Sequence, residues 1–421
     1  LLLVATVAVI AIGQRLRNTR KLDGVVLVLI AVVGVTPLLQ VGLAHLQNTN
    51  PYPLTTGPDF GPEAIATGEV EDVMVIIVDG YPNLRTAEDW FGHDTVPLTE
   101  RLSSLGFEVA REAWSQHTFT APSVSALLEL RPVIDAVPVG SAANLSSLYA
   151  ITRGDNFVSR WLKAAGFTYT HFDSGWDVTA CGEMVDRCVG SPWIDETIGG
   201  LIDSSALGGW LQRRLGSYTL AATMNTANGL LQLGHELSQN GSHDYIFAHL
   251  LLPHDPPVVN ETCQFDEARV RDDQLYLGGS VSTHDRRQAI SDQMTCVDSL
   301  LSQIAGVPGP STAVLITADH GTGTGGQVPR QVSEWTDADV AERFGILLAY
   351  RLPPSCGQPR DVVNTLVMRA IMDCAVTVDL PEEKPGHLIG LANTEWVEPT
   401  RMQEIRARLG RGVLETSLEN Q

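Results

Sequence analysis

Residues 73–80 read VMVIIVDG. Val73 to Val78 are apolar without a break and almost all β-branched. A run with no polar alternation predicts a strand buried on both faces, as in a parallel sheet. It stops abruptly at Asp79-Gly80. The same design recurs at 313–321, AVLITADHG, which stops at Asp319-His320-Gly321. YIFAHLLL (245–252) is a third run of this kind, and FTYTHFD (167–173) and GILLAY (345–350) read as further strands. Between them lie helical patterns at 96–106, 156–166, 283–304 and 360–373, and 200–238 is rich in Leu, Ala and Gly and also reads as helical. Buried strands alternating with helices predict an α/β fold: a mostly parallel central sheet with helices on both faces.

Upstream, GVVLVLIAVVGVTPLLQVGLAH (24–45) carries no formal charge. It is long enough for a bilayer, which takes about 20 apolar residues. The apolar start, LLLVATVAVIAI, is read as the tail of an earlier span. The loop between the two holds Arg15, Arg17, Arg20 and Lys21, and a short basic loop belongs on the cytoplasmic side. The expected organisation is therefore transmembrane segments over 1–45, a Pro- and Gly-containing linker over 46–71, a catalytic domain over 72–396 and a C-terminal helix or tail over 397–421. The catalytic domain is expected outside the cytoplasm, at the cell membrane. Six cysteines without CxxC spacing fit disulfides in that setting. Many pairings are open to them, and sequence neighbours give 181–188, 263–296 and 356–374. A net charge of -21 repels nucleic-acid phosphates, so no nucleic-acid partner is expected.

In open α/β sheets, ligands bind beyond the carboxyl ends of the strands. Asp79, Asp319 and His320 stand there, and oxygen and imidazole ligands suit a divalent cation. A lone Asp in such a place often only caps a turn. The stretch SQHTFTAPSVSALLEL (115–130) adds a helix start. Thr120 is read as its N-cap and Pro122 falls in the first turn. Such a helix mouth turns amides and the positive dipole end toward an oxyanion, and a cation could activate the threonine hydroxyl. DYIFAHLLLPHDPPVV (244–259) adds His249 on a strand and His254 in a proline-bounded loop, suited to binding an anion or protonating a leaving oxygen. Trp176 has two readings, stacking on a sugar or packing, and packing is favoured.

The blocks VIIVDGYP, SQHTFTAPSVSALL, FAHLLLPHDPP and LITADHG, in this order, resemble the alkaline phosphatase-like superfamily in its sulfatase-like branch. That branch includes arylsulfatases, lipoteichoic acid synthases and phosphoethanolamine transferases. The resemblance implies one divalent metal ion (Zn, Mn, Mg or Ca) held by Asp79, Thr120, Asp319 and His320. It implies Thr120 as nucleophile, with His249 and His254 holding the transferred group or assisting the leaving group. Sulfatases of this branch carry Cys-x-Pro-Ser-x-Arg for conversion to formylglycine, whereas this chain has Thr-Ala-Pro-Ser-Val-Ser from 120 to 125. Threonine cannot undergo that conversion. The expectation is thus a membrane-anchored phosphotransferase working on a phosphodiester, such as a phosphoglycerol or phosphoethanolamine head group, through a phosphothreonine. Its substrate would be a phospholipid or a cell-envelope glycan. The alternatives are a phosphodiesterase or sulfuric ester hydrolase on the same scaffold, and a non-catalytic sensor or assembly protein.

Overall fold

The computed structural model describes residues 64–133, 146–190, 218–240, 243–266, 283–323, 334–377, 380, 387–389, 395–397 and 399–409. The two apolar runs of residues 1–45 lie outside them. Among the described residues no helix is long and apolar enough to cross a membrane.

Seven strands form one sheet: β1 (Asp72–Val78), β2 (Glu108–Ala110), β3 (Thr168–Phe172), β4 (Arg187–Val189), β5 (Asp244–Leu250), β6 (Thr312–Ala318) and β7 (Leu348–Arg351). Their spatial order is β2-β7-β6-β1-β5-β3-β4. β1 lies between β5 and β6 and is parallel to both. Every residue of these three strands is buried, so both faces of the sheet are covered, as the unbroken apolar runs require. β3 and β4 continue the parallel set.

β7 departs from it by running against β6. The reason is a contact between separate segments. The amide of Gly321, just past β6, donates to the carbonyl of Arg343 at 2.8 Å. The chain therefore returns to the rim it left and re-enters the sheet from that side.

The helices are α1 (Leu84–Phe91), α2 (Val96–Ser104), α3 (Thr120–Glu129), α4 (Ser146–Thr152), α5 (Phe157–Ala164), α6 (Tyr218–Asn240), α7 (Thr283–Ile304), α8 (Asp337–Phe344), α9 (Asn364–Ala375) and α10 (Pro399–Leu409). Helix α6 covers the end of the 200–238 stretch, and the part before it lies outside the described residues. α8 begins with a capping box in which Thr336 and Asp339 bond each other's backbone amides. Met402 and Ile405 of α10 pack with Trp114, Trp335, Val340 and Phe344, which fastens α8 from behind. Ile65–Ala66, within the stretch read as linker, pairs antiparallel with Val376–Thr377. The three disulfides join Cys181 to Cys188, Cys263 to Cys296 and Cys356 to Cys374, the sequence-neighbour pairing.

Candidate active site

The sheet register brings the strand-end groups together. Val78 faces Leu250 on one side and Ala318 on the other. Asp79 and Asp319 are therefore the next residues on adjacent strands, and His249 sits one step below the rim of β5. One oxygen each of Asp79 and Asp319 and one nitrogen of His249 lie within 4.8 Å of one another. Asp79, His254 and His320 form a second, overlapping group.

The hydrogen bonding fixes what each group offers. Asp319 Oδ1 accepts from the amides of Gly80 (3.0 Å) and His320 (2.9 Å). Asp319 Oδ2 is buried and has no hydrogen-bond partner. Asp79 Oδ1 is in the same state. His320 Nδ1 lies 2.8 Å from the Gly321 carbonyl, a bond only an N–H can make, so a neutral ring leaves Nε2 bare. That Nε2 stands 3.2 Å from Thr120 Oγ1, 3.4 Å from Asp319 Oδ2 and 3.7 Å from Asp79 Oδ1. His249 Nδ1 is 2.8 Å from Thr179 Oγ1. Its Nε2 is buried without a hydrogen-bond partner, 3.6 Å from Asp79 Oδ2, too far for a hydrogen bond.

The electrostatics point the same way. Burial pushes the Asp79 carboxyl well above its ordinary range, the facing Asp319 adds to this, and Arg343 opposes it. Burial drops His249 to about 4. Burial also holds His320 well below the usual imidazole value, helped by Arg343 and His254. At neutral pH both rings are therefore uncharged. Carboxylate oxygens, the bare Nε2 of His320 and the partnerless Nε2 of His249 converge here. Buried polar atoms without partners cost about 1–3 kcal/mol each, and more when charged. A divalent cation held by the carboxylate oxygens and a ring nitrogen of one of these groups would satisfy them, and the O/N donor set fits Zn, Mn or Mg. The residues present therefore fit a metal ion.

Thr120 corrects one expectation. The N-cap of α3 is Phe119, in extended conformation, and Thr120 is the first helical residue. Its hydroxyl faces His320 instead of capping the backbone. Pro122 remains in the first turn, and the Ser123 hydroxyl donates to the Asp319 carbonyl, pinning the helix to the strand end.

A cavity of about 340 Å³ opens over this group, lined by Thr120, Tyr149, Trp176, His254, His320 and Arg343 among others. Trp176, read as packing, thus faces the cavity, with its ring centroid 6.0 Å from that of His249. His254 sits at the mouth. Its side chain is 48% exposed and its Nε2 is 3.9 Å from Asp79 Oδ1. Buried Gln293 holds its loop, donating to the carbonyls of Pro253 (2.9 Å) and His254 (3.1 Å). Gly80, at φ +71°, gives the turn a conformation that suits glycine, with the His254 backbone close above.

The sulfatase family description matches residues 77–344, more than half of the chain. The chain belongs to the sulfatase family. As a family member it is an enzyme acting on phosphoryl or sulfuryl esters. No curated protein sequence matches it. Among solved structures it is similar to the C-terminal periplasmic domain of EcEptC from Escherichia coli, at 11% identity. That match covers 83% of this chain and 96% of that one, with a TM-score of 0.49. It is also similar to the lipooligosaccharide phosphoethanolamine transferase EptA from Neisseria meningitidis, at 13% identity. There the coverage is 84% of this chain and 60% of that one, with a TM-score of 0.46.

Two groups escaped sequence reasoning. Arg343 is a buried cation in the cavity wall, and Thr179 orients His249. The one local hint for Arg343 was a charged residue running into the apolar FGILLA.

Proposed function

We propose that the chain is a metal-dependent phosphotransferase acting on phosphodiesters, with Thr120 as nucleophile and Asp79, Thr120, Asp319 and His320 as metal ligands. The observation that carries this reading is the Thr120 hydroxyl at 3.2 Å from His320 Nε2, beside the partnerless atoms of Asp79, Asp319 and His249. A divalent ion bound there would acidify the Thr120 hydroxyl and offset charge on the ester oxygens. Threonine at this position favours phosphoryl over sulfuryl chemistry, because the formylglycine route is closed to it.

In the first half-reaction the Thr120 hydroxyl proton passes through solvent to His254 as Thr120 Oγ1 attacks phosphorus. A bond forms from that oxygen to phosphorus as the bond to the leaving alcohol breaks. His254, half exposed at the mouth, supplies the proton the alcohol oxygen needs. First-turn amides of α3 face the developing charge on the ester oxygens. In the second half an acceptor hydroxyl gives its proton to His254 and its oxygen attacks the phosphothreonine, and Thr120 leaves and takes that proton back through solvent. His249 serves to hold the transferred group or a ligand oxygen in place. The aromatic side chains in the cavity wall suit an amphiphilic substrate.

The domain bounds follow the same reading: catalytic residues over 72–396 and a membrane anchor upstream, which places the site outside the cytoplasm near lipid head groups or envelope glycans. Names of the similar structures are consistent with such a setting, since they include a phosphoethanolamine transferase and periplasmic domains.

The test uses the full chain loaded with Mn or Zn and a chromogenic phosphodiester, with and without an acceptor alcohol. Thr120→Ala is expected to abolish turnover and leave the circular dichroism unchanged. Mass spectrometry after a quench is expected to find phosphate on Thr120. Equal turnover by wild type and Thr120→Ala would refute the mechanism. Product appearing only as the hydrolysed monoester would assign a phosphodiesterase instead.

A further inference from the structure

Arg343 is the last basic residue of α8 and is only 5% exposed. Burying a guanidinium is costly unless its donors are matched. Two of its nitrogens are spent on main-chain carbonyls from distant parts of the chain. Nη1 donates to the carbonyl of Gly321 at 3.1 Å, and Nη2 donates to the carbonyl of Thr118. The guanidinium lies over the Phe119 ring, 5.2 Å from its centroid. These three partners are informative. Thr118 stands two residues before the Thr120 hydroxyl, and Phe119 is the N-cap of α3. Gly321 follows His320 directly, and its carbonyl also accepts from His320 Nδ1.

The main chain repeats the grip. The Gly321 amide donates to the Arg343 carbonyl at 2.8 Å, so the two residues bond each other in both directions. The approach is so close that a methyl group on Gly321 would stand 1.9 Å from the Glu342 carbonyl oxygen. The Ser115 amide, leading into α3, donates to the Phe344 carbonyl at 2.9 Å. The end of α8 thus touches both the arm carrying Thr120 and the arm carrying His320.

We propose that Arg343 is the positioning residue that fixes the Thr120 hydroxyl against His320 and selects the His320 ring orientation through the Gly321 carbonyl. It acts through those carbonyls, to which Nη1 and Nη2 are both committed, while the buried Nε has no hydrogen-bond partner. A planar fork is needed for this. Lysine keeps the charge but offers a point cation on a flexible stem, which cannot hold two carbonyls at fixed separation. The consequence for catalysis rests on the phosphotransferase reading above, whereas the consequence for the His320 ring does not.

The experiment compares wild type with Arg343→Lys by two readouts. In steady-state phosphodiester turnover at saturating Mn, kcat is expected to fall about 100-fold, the loss that misplacement by roughly 1 Å produces. KM is expected to stay within about threefold, because substrate contacts are untouched. In the metal-free protein, nitrogen-detected NMR of the His320 ring is expected to show Nδ1–H in wild type and a mixture of tautomers in Arg343→Lys. An unchanged kcat together with an unchanged tautomer overturns the proposal. So does a loss confined to KM, which would make Arg343 a substrate-binding group. If wild type shows no Thr120-dependent turnover, the phosphotransferase reading fails, and the tautomer readout alone decides for or against the brace. If Arg343→Lys does not fold, Phe119→Leu removes the platform under the guanidinium. The same readouts are then expected to move in the same direction, and wild-type values overturn the proposal.

Discussion

Asp319→Asn tests whether the paired carboxylates exist to hold a cation. The substitution is close to isosteric. Its Oδ1 can keep both amide bonds, to Gly80 and His320, so the turn after β6 stays intact. What changes is Oδ2, which has no partner, on a carboxylate with one oxygen within 4.8 Å of the facing Asp79 and His249 atoms. Two unit charges at that separation repel by about 3.5 kcal/mol at an effective dielectric of ~20. This is a ceiling, because Asp79 can take up a proton instead of facing Asp319 charged. The sign follows from the raised Asp79 value. A carboxyl whose folded pKa lies above its unfolded one binds its proton more tightly when folded. Metal-free wild type should therefore lose stability as pH rises from the ordinary carboxylate range up to the Asp79 value, then level off.

Removing the Asp319 charge shortens that window, so above it metal-free Asp319→Asn should be more stable than wild type, by up to about 3 kcal/mol. With a cation at 100 times its Kd the order reverses. Wild type gains about 2.7 kcal/mol, equivalent to about 5 °C in Tm for a domain of this size. Asp319→Asn should gain less than ~1 °C, having lost an anionic ligand. Calorimetry at pH 8 in chelator and in Mn or Zn reads both. If the variant is the less stable protein in chelator, or gains as much as wild type from metal, the carboxylates are structural and the reasoning is wrong.

Other outcomes follow from the same geometry. Gly321→Ala should destabilise the chain by at least ~3 kcal/mol, because its Cβ would overlap the Glu342 carbonyl oxygen, and a denaturant melt reads this. Gln293→Leu should cost about 3 kcal/mol or more, since its side chain also accepts from the Val258 and Val259 amides. The released His254 loop should lower kcat while metal affinity, measured by calorimetric titration, holds. Replacing both Cys263 and Cys296 by Ser opens a crosslink spanning 33 residues. It should lower unfolding free energy by roughly 3–4 kcal/mol.

The site was legible in the sequence to the extent that it is built on strand ends. A short, β-branched apolar run between turn residues reads as a buried strand, and the first acid after it emerges at the rim. Asp79, Asp319 and His320 were found by that rule, and the register Val78–Leu250 and Val78–Ala318 is what makes them neighbours. His249 and His254 were found because they belong to the next strand and its exit loop. The antiparallel course of β7 was not legible. It depends on the Gly321–Arg343 contact, which has no local signature. Arg343, Gln293 and Thr179 share that property. Each acts on a partner more than 20 residues away, and nothing in the flanking residues names the partner.

The one-residue error at the mouth of α3 has chemical content. A threonine at the N-cap uses its oxygen to accept a backbone amide, which satisfies the helix and leaves the hydroxyl in poor supply for anything else. Moving the cap back to Phe119 leaves that amide acceptor out of the helix start. The helix loses a stabilisation of about 1 kcal/mol that such a cap would contribute. In exchange Thr120 Oγ1 is turned to the bare nitrogen of His320. The deficit is offset by contacts that a cap would not need: the Ser123 hydroxyl on the Asp319 carbonyl, and Arg343 on the Thr118 carbonyl. Both tie the helix start to the strand end by side chains. A helix meant only to pack would be capped by its own threonine. One held in place from outside has its threonine oxygen left over, which is what the proposed nucleophile requires.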